Sequence, residues 1–246
     1  MRIRLFSIGN FPVNGYGAMI GLGILLCTAM ACYRAKKKGL EQEVVMDIIL
    51  ISALAGFGGA KLLYMLIEFR QLIKDPLSVI GSSGFVVYGG IITGILCVML
   101  YCKKKNLHFA EYFDLIMPSA ALAQGFGRIG CFLAGCCYGI RTRSPIGVTF
   151  PTSGLAPAGV SLLPAQLFFA AADFLHVLIL LWLSKRAKHT GDVGIAYLLF
   201  YGIGRFALEF MRSDRRGFVF GFSTSQVISI GIVLIALILT LIRKRE

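Results

Sequence analysis

Four ionisable side chains, Lys61, Arg128, Arg205 and Glu209, stand inside long apolar runs, in the segments GGAKLLY, GRIGCF and YGIGRFALEFMR. An ionised group at the centre of a membrane helix costs about 2.5 to 3.5 kcal/mol on insertion scales, so each marks a candidate site. Tyr201, Arg205 and Glu209 are spaced four apart, which stacks them on one helix face, and Arg212 continues that face one turn later. The face must look away from lipid. Its plain use is an ion pair that locks helices together; its chemical use is to hold an anion. Arg128 has no carboxylate within helical reach, since Asp114 lies far upstream. Its partner is therefore Glu209, backbone carbonyls or an anionic ligand. Guanidinium groups hold a phosphate through two parallel hydrogen bonds, and the abundant phosphates at a membrane are lipid headgroups. Two arginines on different helices facing one cavity make a phospholipid site.

The segment GFGRIGCFLAGCCYG, residues 125–139, adds Cys131, Cys136 and Cys137 next to Arg128. Adjacent cysteines do not match the usual ligand spacing, and His108, His176 and His189 are scattered. No metal is expected from this pattern. The thiols read as small packing residues, with a reactive thiol as the alternative, because a neighbouring arginine favours the thiolate.

The elements that must position these residues are membrane helices. The chain of 246 residues is 57% hydrophobic and 15% charged, whereas a soluble domain is usually about 25% charged. Seven apolar stretches, near 12–33, 44–69, 85–102, 112–136, 163–184, 191–211 and 222–242, have the roughly 20 residues needed to cross a bilayer core. This predicts an all-α polytopic membrane protein with seven transmembrane helices and one integral membrane domain over residues 1–246. The excess of 25 Lys and Arg over 12 Asp and Glu does not point to nucleic acid, because the basic residues sit in short loops. Arg34 and Lys36 to Lys38, Lys103 to Lys105, Lys185, Arg186 and Lys188, and Arg243 to Arg245 follow the first, third, fifth and seventh stretches. They outnumber the basic residues on the other side, where Arg212, Arg215 and Arg216 lie, so the N-terminus is expected outside and the C-terminus in the cytoplasm. Ala29 to Cys32 imitate a signal-peptidase site, but the RAKKK run follows the apolar core instead of preceding it. That is a stop-transfer pattern, and the first span is expected to be retained.

The seven cysteines give no disulfide framework; Cys27 with Cys32, and Cys97 with Cys102, are five apart, too far along a helix for the Cα separation of about 4.4 to 6.8 Å that a disulfide needs. The stretch 138–162 holds Pro145, Pro151, Pro157, Gly147, Gly154 and Gly159, which suit an irregular outer loop. Gly56, Gly58 and Gly59, with Gly89, Gly90 and Gly94, suit close helix packing.

The order of motifs resembles the bacterial prolipoprotein diacylglyceryl transferases: FSIG at 6–9 followed by YG at Tyr16, GGAKLLY at 58–64, the pair Gly89 and Gly90, GRIG from Gly127, and YGIGRFALEFMR at 201–212. The resemblance runs from about residue 5 to residue 240. It implies a seven-span enzyme of the bacterial cytoplasmic membrane that moves the diacylglyceryl group of phosphatidylglycerol onto the lipobox cysteine thiol of a prolipoprotein signal peptide, releasing glycerol phosphate. No cofactor is called for. Carried over residue by residue, Arg128 matches the family's phospholipid-binding arginine, Gly139 the glycine closing its signature, and Tyr16 the first-span tyrosine. Tyr201, Arg205 and Glu209 match its essential sixth-span elements. The family's histidine before the glycine pair is here Tyr88, placed by the resemblance among the catalytic groups. The signature's two asparagines and glutamate are Cys131, Ala134 and Cys136, and the histidine and glutamate of its HPxQLYE element are Leu163 and Phe169. These replacements leave open two other readings: a relative that serves another acceptor, and a membrane phospholipid-binding protein without catalysis.

Overall fold

Leu-, Ile- and Ala-rich runs that bury their backbone polar groups in lipid have the helix as their local solution, and the computed structural model follows the apolar pattern closely. It describes residues 4–8, 11–82, 84–151, 155–214, 217–219 and 221–243. Gly9, Gly154, Arg215, Arg216, Lys244 and Arg245, used in the motif and charge arguments above, lie outside the described residues.

The chain opens with a hairpin, β1 (Arg4–Ile8) and β2 (Phe11–Asn14), and continues through α1 (Gly15–Lys38), α2 (Gln42–Ile67), the short α3 (Phe69–Lys74) and α4 (Pro76–Gly81), α5 (Val87–Lys104) and α6 (Phe109–Ala134). The two-residue strands β3 (Val148–Thr149) and β4 (Ser161–Leu162) precede α7 (Ala165–Ser184) and α8 (Asp192–Glu209); β5 (Phe218–Val219) and β6 (Phe222–Ser223) precede α9 (Thr224–Arg243). Each of the seven apolar stretches thus holds one long helix. Five of these, α1, α2, α5, α7 and α9, are long and apolar enough to cross a membrane. The other two carry the polar load: Glu111, Asp114 and Arg128 in α6, and Asp192, Arg205 and Glu209 in α8. Three short antiparallel ladders and the helices α3 and α4 are additions to the expected pattern. Asp75 and Pro76 are their sequence signal: the Asp75 carboxylate accepts from the Ser78 amide at 3.2 Å, and Pro76 takes the first turn of α4.

Cys32–Tyr112 form one compact unit, and Met1–Ala31 with Phe113–Glu246 form a second. In the first, α2 and α5 run antiparallel at backbone contact. A Cβ on Gly90 would collide with the Gly56 carbonyl, and one on Gly89 with that of Gly59, which is why a glycine pair stands there. Thr93 Oγ1 donates across the same seam to the Ala55 carbonyl at 2.8 Å, and the Tyr101 hydroxyl to Asp47 at 2.6 Å.

In the second unit, Ala121, Val177, Leu180, Val193 and Tyr197 form an apolar core joining α6, α7 and α8. Asp114 of α6 caps α8: its two carboxylate oxygens accept from the Gly191 and Gly194 amides at 2.7 Å each. A carboxylate at a helix N-terminus satisfies orphan donors and complements the dipole. The α8–α9 seam is equally tight, since a Cβ on Gly202 would meet Val233 and the Ser229 carbonyl, and Arg243 pairs with Asp192 across its far end. A capping box starts α9: the Ser223 hydroxyl accepts from the Gln226 amide at 3.2 Å while Gln226 Oε1 accepts from the Ser223 amide at 2.9 Å. The stretch 138–162 is less irregular than its prolines suggest. Phe150, Ala156 and Leu162 give it a small core packed against Phe132 and Tyr138. Among the described residues all seven cysteines are free thiols.

Candidate active site

On α7, Phe169, Asp173 and His176 recur at intervals of four and three and so share a face. On α8, Tyr201 and Arg205 do the same, one turn before Glu209. Because α6, α7 and α8 share one core, these faces meet. Arg128, Phe169, Asp173, His176, Tyr201 and Arg205 line a cleft of about 140 Å³.

Phe169 forms its floor. The ring is buried, and three guanidiniums stand over it: Arg128 at 4.6 Å, Arg205 at 5.1 Å and Arg212 at 5.7 Å from the centroid. A desolvated cation gains about 2 kcal/mol from such a ring. Two unit charges 8 Å apart repel by about the same amount at an effective dielectric near 20. The trio is therefore held together by its anions. Glu209, 6% exposed, ion-pairs with Arg205 Nη1 at 2.9 Å, lies 4.0 Å from Arg212 Nε, and accepts from the Ser223 hydroxyl at 3.0 Å. Arg205 Nη2 donates to Ser225 Oγ at 2.9 Å, so the start of α9 braces both members of the pair. Arg212 forks onto Asp214 with two bonds of 2.9 Å. Burial would lower the Arg212 guanidinium, but the bonds to Asp214 outweigh it and the group titrates above its ordinary range.

Several buried polar atoms remain open among the described residues. Arg212 Nη1 and His176 Nε2 are buried and have no hydrogen-bond partner there. Arg128 likewise takes part in no ion pair among the described residues, and shares the cleft with Asp173. One wall is an aromatic stack: His176 on Tyr197 (5.2 Å, 13°) and Tyr197 on Tyr201 (5.8 Å, 8°), with the Tyr197 hydroxyl accepting from Gln124 at 2.7 Å.

Of the residues expected from sequence, Arg128, Tyr201, Arg205 and Glu209 come together here, and the Arg205–Glu209 pair forms as its spacing implies. Gly139 acts through its backbone. Its amide donates to the Leu163 carbonyl at 3.0 Å and it bridges to Arg212, so that a Cβ would stand 2.5 Å from the Leu163 oxygen and 2.8 Å from that of Met211. This junction ties the chain after α6 to the segments before α7 and after α8, and fixes Arg212. Tyr16, the second residue of α1, packs over Gly130 of α6, whose Cβ would lie 3.2 Å from the ring. Tyr88 is the second residue of α5 in the Cys32–Tyr112 unit and is 37% exposed. Lys61, in the same unit, is fully engaged: its ammonium donates to the Ser82 carbonyl at 2.7 Å and to Ser82 Oγ and the Gly84 carbonyl at 3.4 Å, between the rings of Tyr64 and Phe85. Asp173 was legible by the rule that singled out Arg128, as an ionisable group in an apolar run. Phe169 and Ser225 carried no such signal.

The model of the family described as prolipoprotein diacylglyceryl transferase matches residues 4–242. The chain is 45% identical to the phosphatidylglycerol–prolipoprotein diacylglyceryl transferase of Clostridium tetani, with 96% of each chain covered. It is 43% identical to phosphatidylglycerol–prolipoprotein diacylglyceryl transferase 2 of Clostridium perfringens (99% and 96% covered) and 32% identical to the corresponding transferase of Finegoldia magna (98% and 95%). With the family pattern running through nearly its whole length, the chain belongs to the prolipoprotein diacylglyceryl transferase family.

Proposed function

We propose that this protein transfers the diacylglyceryl group of phosphatidylglycerol to the thiol of a lipobox cysteine in prolipoprotein signal peptides. It does so as a single seven-span domain of the bacterial cytoplasmic membrane, with its N-terminus outside. The relatives' shared name supports the reaction, and the basic loops after the first, third, fifth and seventh stretches support the orientation. The observation that carries the site is the convergence of Arg128, Arg205 and Arg212 on one buried ring, with Arg212 Nη1 left as a desolvated donor.

The chemistry asks for this arrangement. The acceptor sulfur attacks the glyceryl carbon, a carbon–sulfur bond forms, and the carbon–oxygen bond to phosphate breaks with its electron pair on the departing oxygen. Fixed donors aimed at that oxygen stabilise the developing charge, and losing one such donor typically costs about 100- to 1000-fold in rate. Arg128 binds the phosphate and Arg205 receives the leaving oxygen. Glu209 is a positioning residue that holds Arg205 and Arg212, and Gly139 positions Arg212 through the backbone. Tyr201 presents its ring and hydroxyl to the lipid, and Tyr16 borders the signature from α1. Asp173 shares the cleft with Arg128 and faces the space the lipid phosphate would take. Tyr88 supplies a hydrogen-bond donor at the family's histidine position.

The test is expression in bacteria depleted of their own diacylglyceryl transferase, with mass spectrometry of a reporter lipoprotein. A diacylglyceryl thioether on the reporter cysteine is expected. An unmodified reporter beside inserted, stable protein would instead favour another acceptor or a non-catalytic lipid site.

A further inference from the structure

The three cysteines of the signature are unused by the mechanism above, and the fold gathers them. α6 ends at Ala134, and the chain then turns back through two left-handed residues, Gly135 (φ 72°) and Cys137 (φ 59°). A positive φ at a non-glycine residue is uncommon and costs energy. Here the turn folds Cys136 and Cys137 back against Cys131, the last turn of the helix, and the three Sγ atoms all lie within 4.8 Å of one another. Zinc–thiolate bonds of about 2.3 Å put sulfurs about 3.8 Å apart around a tetrahedral ion. The trio therefore needs shifts of about 1 Å or less to close on one.

The surroundings are built as well. Gln166, fully buried at the start of α7, donates from Nε2 to the Cys136 carbonyl at 2.7 Å and pins the turn. Its Oε1 is buried beside that bond without a hydrogen-bond partner among the described residues. Arg128 lies one turn before Cys131 on α6, and the Gly139–Arg212 bridge begins two residues after Cys137. Both cations offset the charge that several thiolates would gather. Three soft protein ligands leave the fourth position of a tetrahedral zinc to a substrate, whereas structural sites are closed by four protein ligands.

We propose that Cys131, Cys136 and Cys137 bind one zinc ion as three thiolates and present its fourth position to the acceptor thiol of the prolipoprotein. The inference deepens the transferase reading and rests on it. Coordination deprotonates a thiol outright, so the acceptor enters as a thiolate and its proton passes to water. The metal-held sulfur then attacks the glyceryl carbon while the phosphate oxygen leaves with the bonding electrons. Zinc stays divalent throughout. This departs from the expectation, drawn from spacing alone, that the signature binds no metal, and it supplies the activated thiol in a chain where Tyr88 stands in the place of a histidine base.

The test uses the purified full-length protein in detergent, reduced, stripped with chelator and titrated with Co²⁺ as a spectroscopic probe. A thiolate-to-cobalt band saturating at one metal per chain is expected, and it should grow when a lipobox peptide adds a fourth thiolate but not with its Cys-to-Ser analogue. Replacing Cys131→Ser, Cys136→Ser and Cys137→Ser together should abolish the band. Gln166→Ala, which keeps all three ligands, should weaken binding by about 10- to 100-fold with helix content unchanged. The absence of a band in the reduced wild type, a band indifferent to the triple substitution, or a disulfide replacing the thiols in freshly isolated protein would overturn the site. Equal transfer rates for stripped and zinc-loaded protein would overturn it while leaving the transferase reading intact. Stoichiometric cobalt with the peptide response but no transfer to any reporter would sink the transferase reading and leave the metal site.

Discussion

Lys61 and Arg128 pose the same question to a reader of the sequence, since each is a lone cation in a glycine-rich apolar helix, and the structure answers it in opposite ways. In the α2–α5 pair the chain saturates the cation itself: Ser82 and Gly84 supply acceptors, and Tyr64 and Phe85 supply ring faces. Around α6, α7 and α8 three guanidiniums share one ring, their carboxylates serve Arg205 and Arg212, and buried donor capacity is left over. A cation whose own chain completes its shell is a structural clamp, and a cluster left with open donor capacity is a candidate site. The glycines divide in the same way. Gly89 and Gly90 let helices touch, whereas Gly139 lets three backbone segments meet and places an arginine.

Breaking the cleft should have the largest effect. Arg205→Ala removes the 2.9 Å ion-pair partner of the buried Glu209, and breaking such a pair costs about 3 to 5 kcal/mol. Transfer by the purified variant should fall by about 1000-fold, with membrane insertion retained; near-normal turnover would show that Arg205 is only a clamp like Lys61. Gly139→Ala should come next, because a methyl group there collides with two carbonyls and displaces Arg212. We expect about a 100-fold loss in rate at a helix content matching the wild type, a split that a general folding defect would not give. Lys61→Met should do the converse. It leaves the Ser82 carbonyl without its donor, lowering resistance to thermal unfolding by about 1 to 3 kcal/mol, with the rate per folded molecule unchanged; a selective loss of rate would erase the contrast. Phe169→Leu keeps bulk and removes the ring face, so transfer should drop by about 10-fold. The smallest effect is expected from Tyr88→Phe, a few-fold slowing that Tyr88→His restores. A neutral Phe with a harmful His would remove Tyr88 from the reaction.

Much of this was legible beforehand because it is local. Hydropathy located all seven long helices, and the spacing of Tyr201, Arg205 and Glu209 put a pair on one face that the structure closes at 2.9 Å. What stayed hidden depends on which helices meet. Phe169 looks like any core phenylalanine until α6 and α8 lay arginines on it, and Ser225 gains its role only where α9 begins. The cysteine trio was hidden for a different reason. Ligand spacing rules assume ordinary turns, and here two left-handed residues reverse the chain within three positions after the helix. Asp173 had no such excuse, being a carboxylate inside AAADFLHVL and as conspicuous as Arg128.

The proposed role of Arg128 is to hold the lipid phosphate during transfer. It is tested most directly with wild type and Arg128→Ala in nanodiscs of phosphatidylglycerol, given a lipobox peptide and followed by mass spectrometry of the peptide. The account predicts a diacylglyceryl thioether with the wild type and none with Arg128→Ala over the same time, both proteins having equal helix content. Equal product from the two would contradict it.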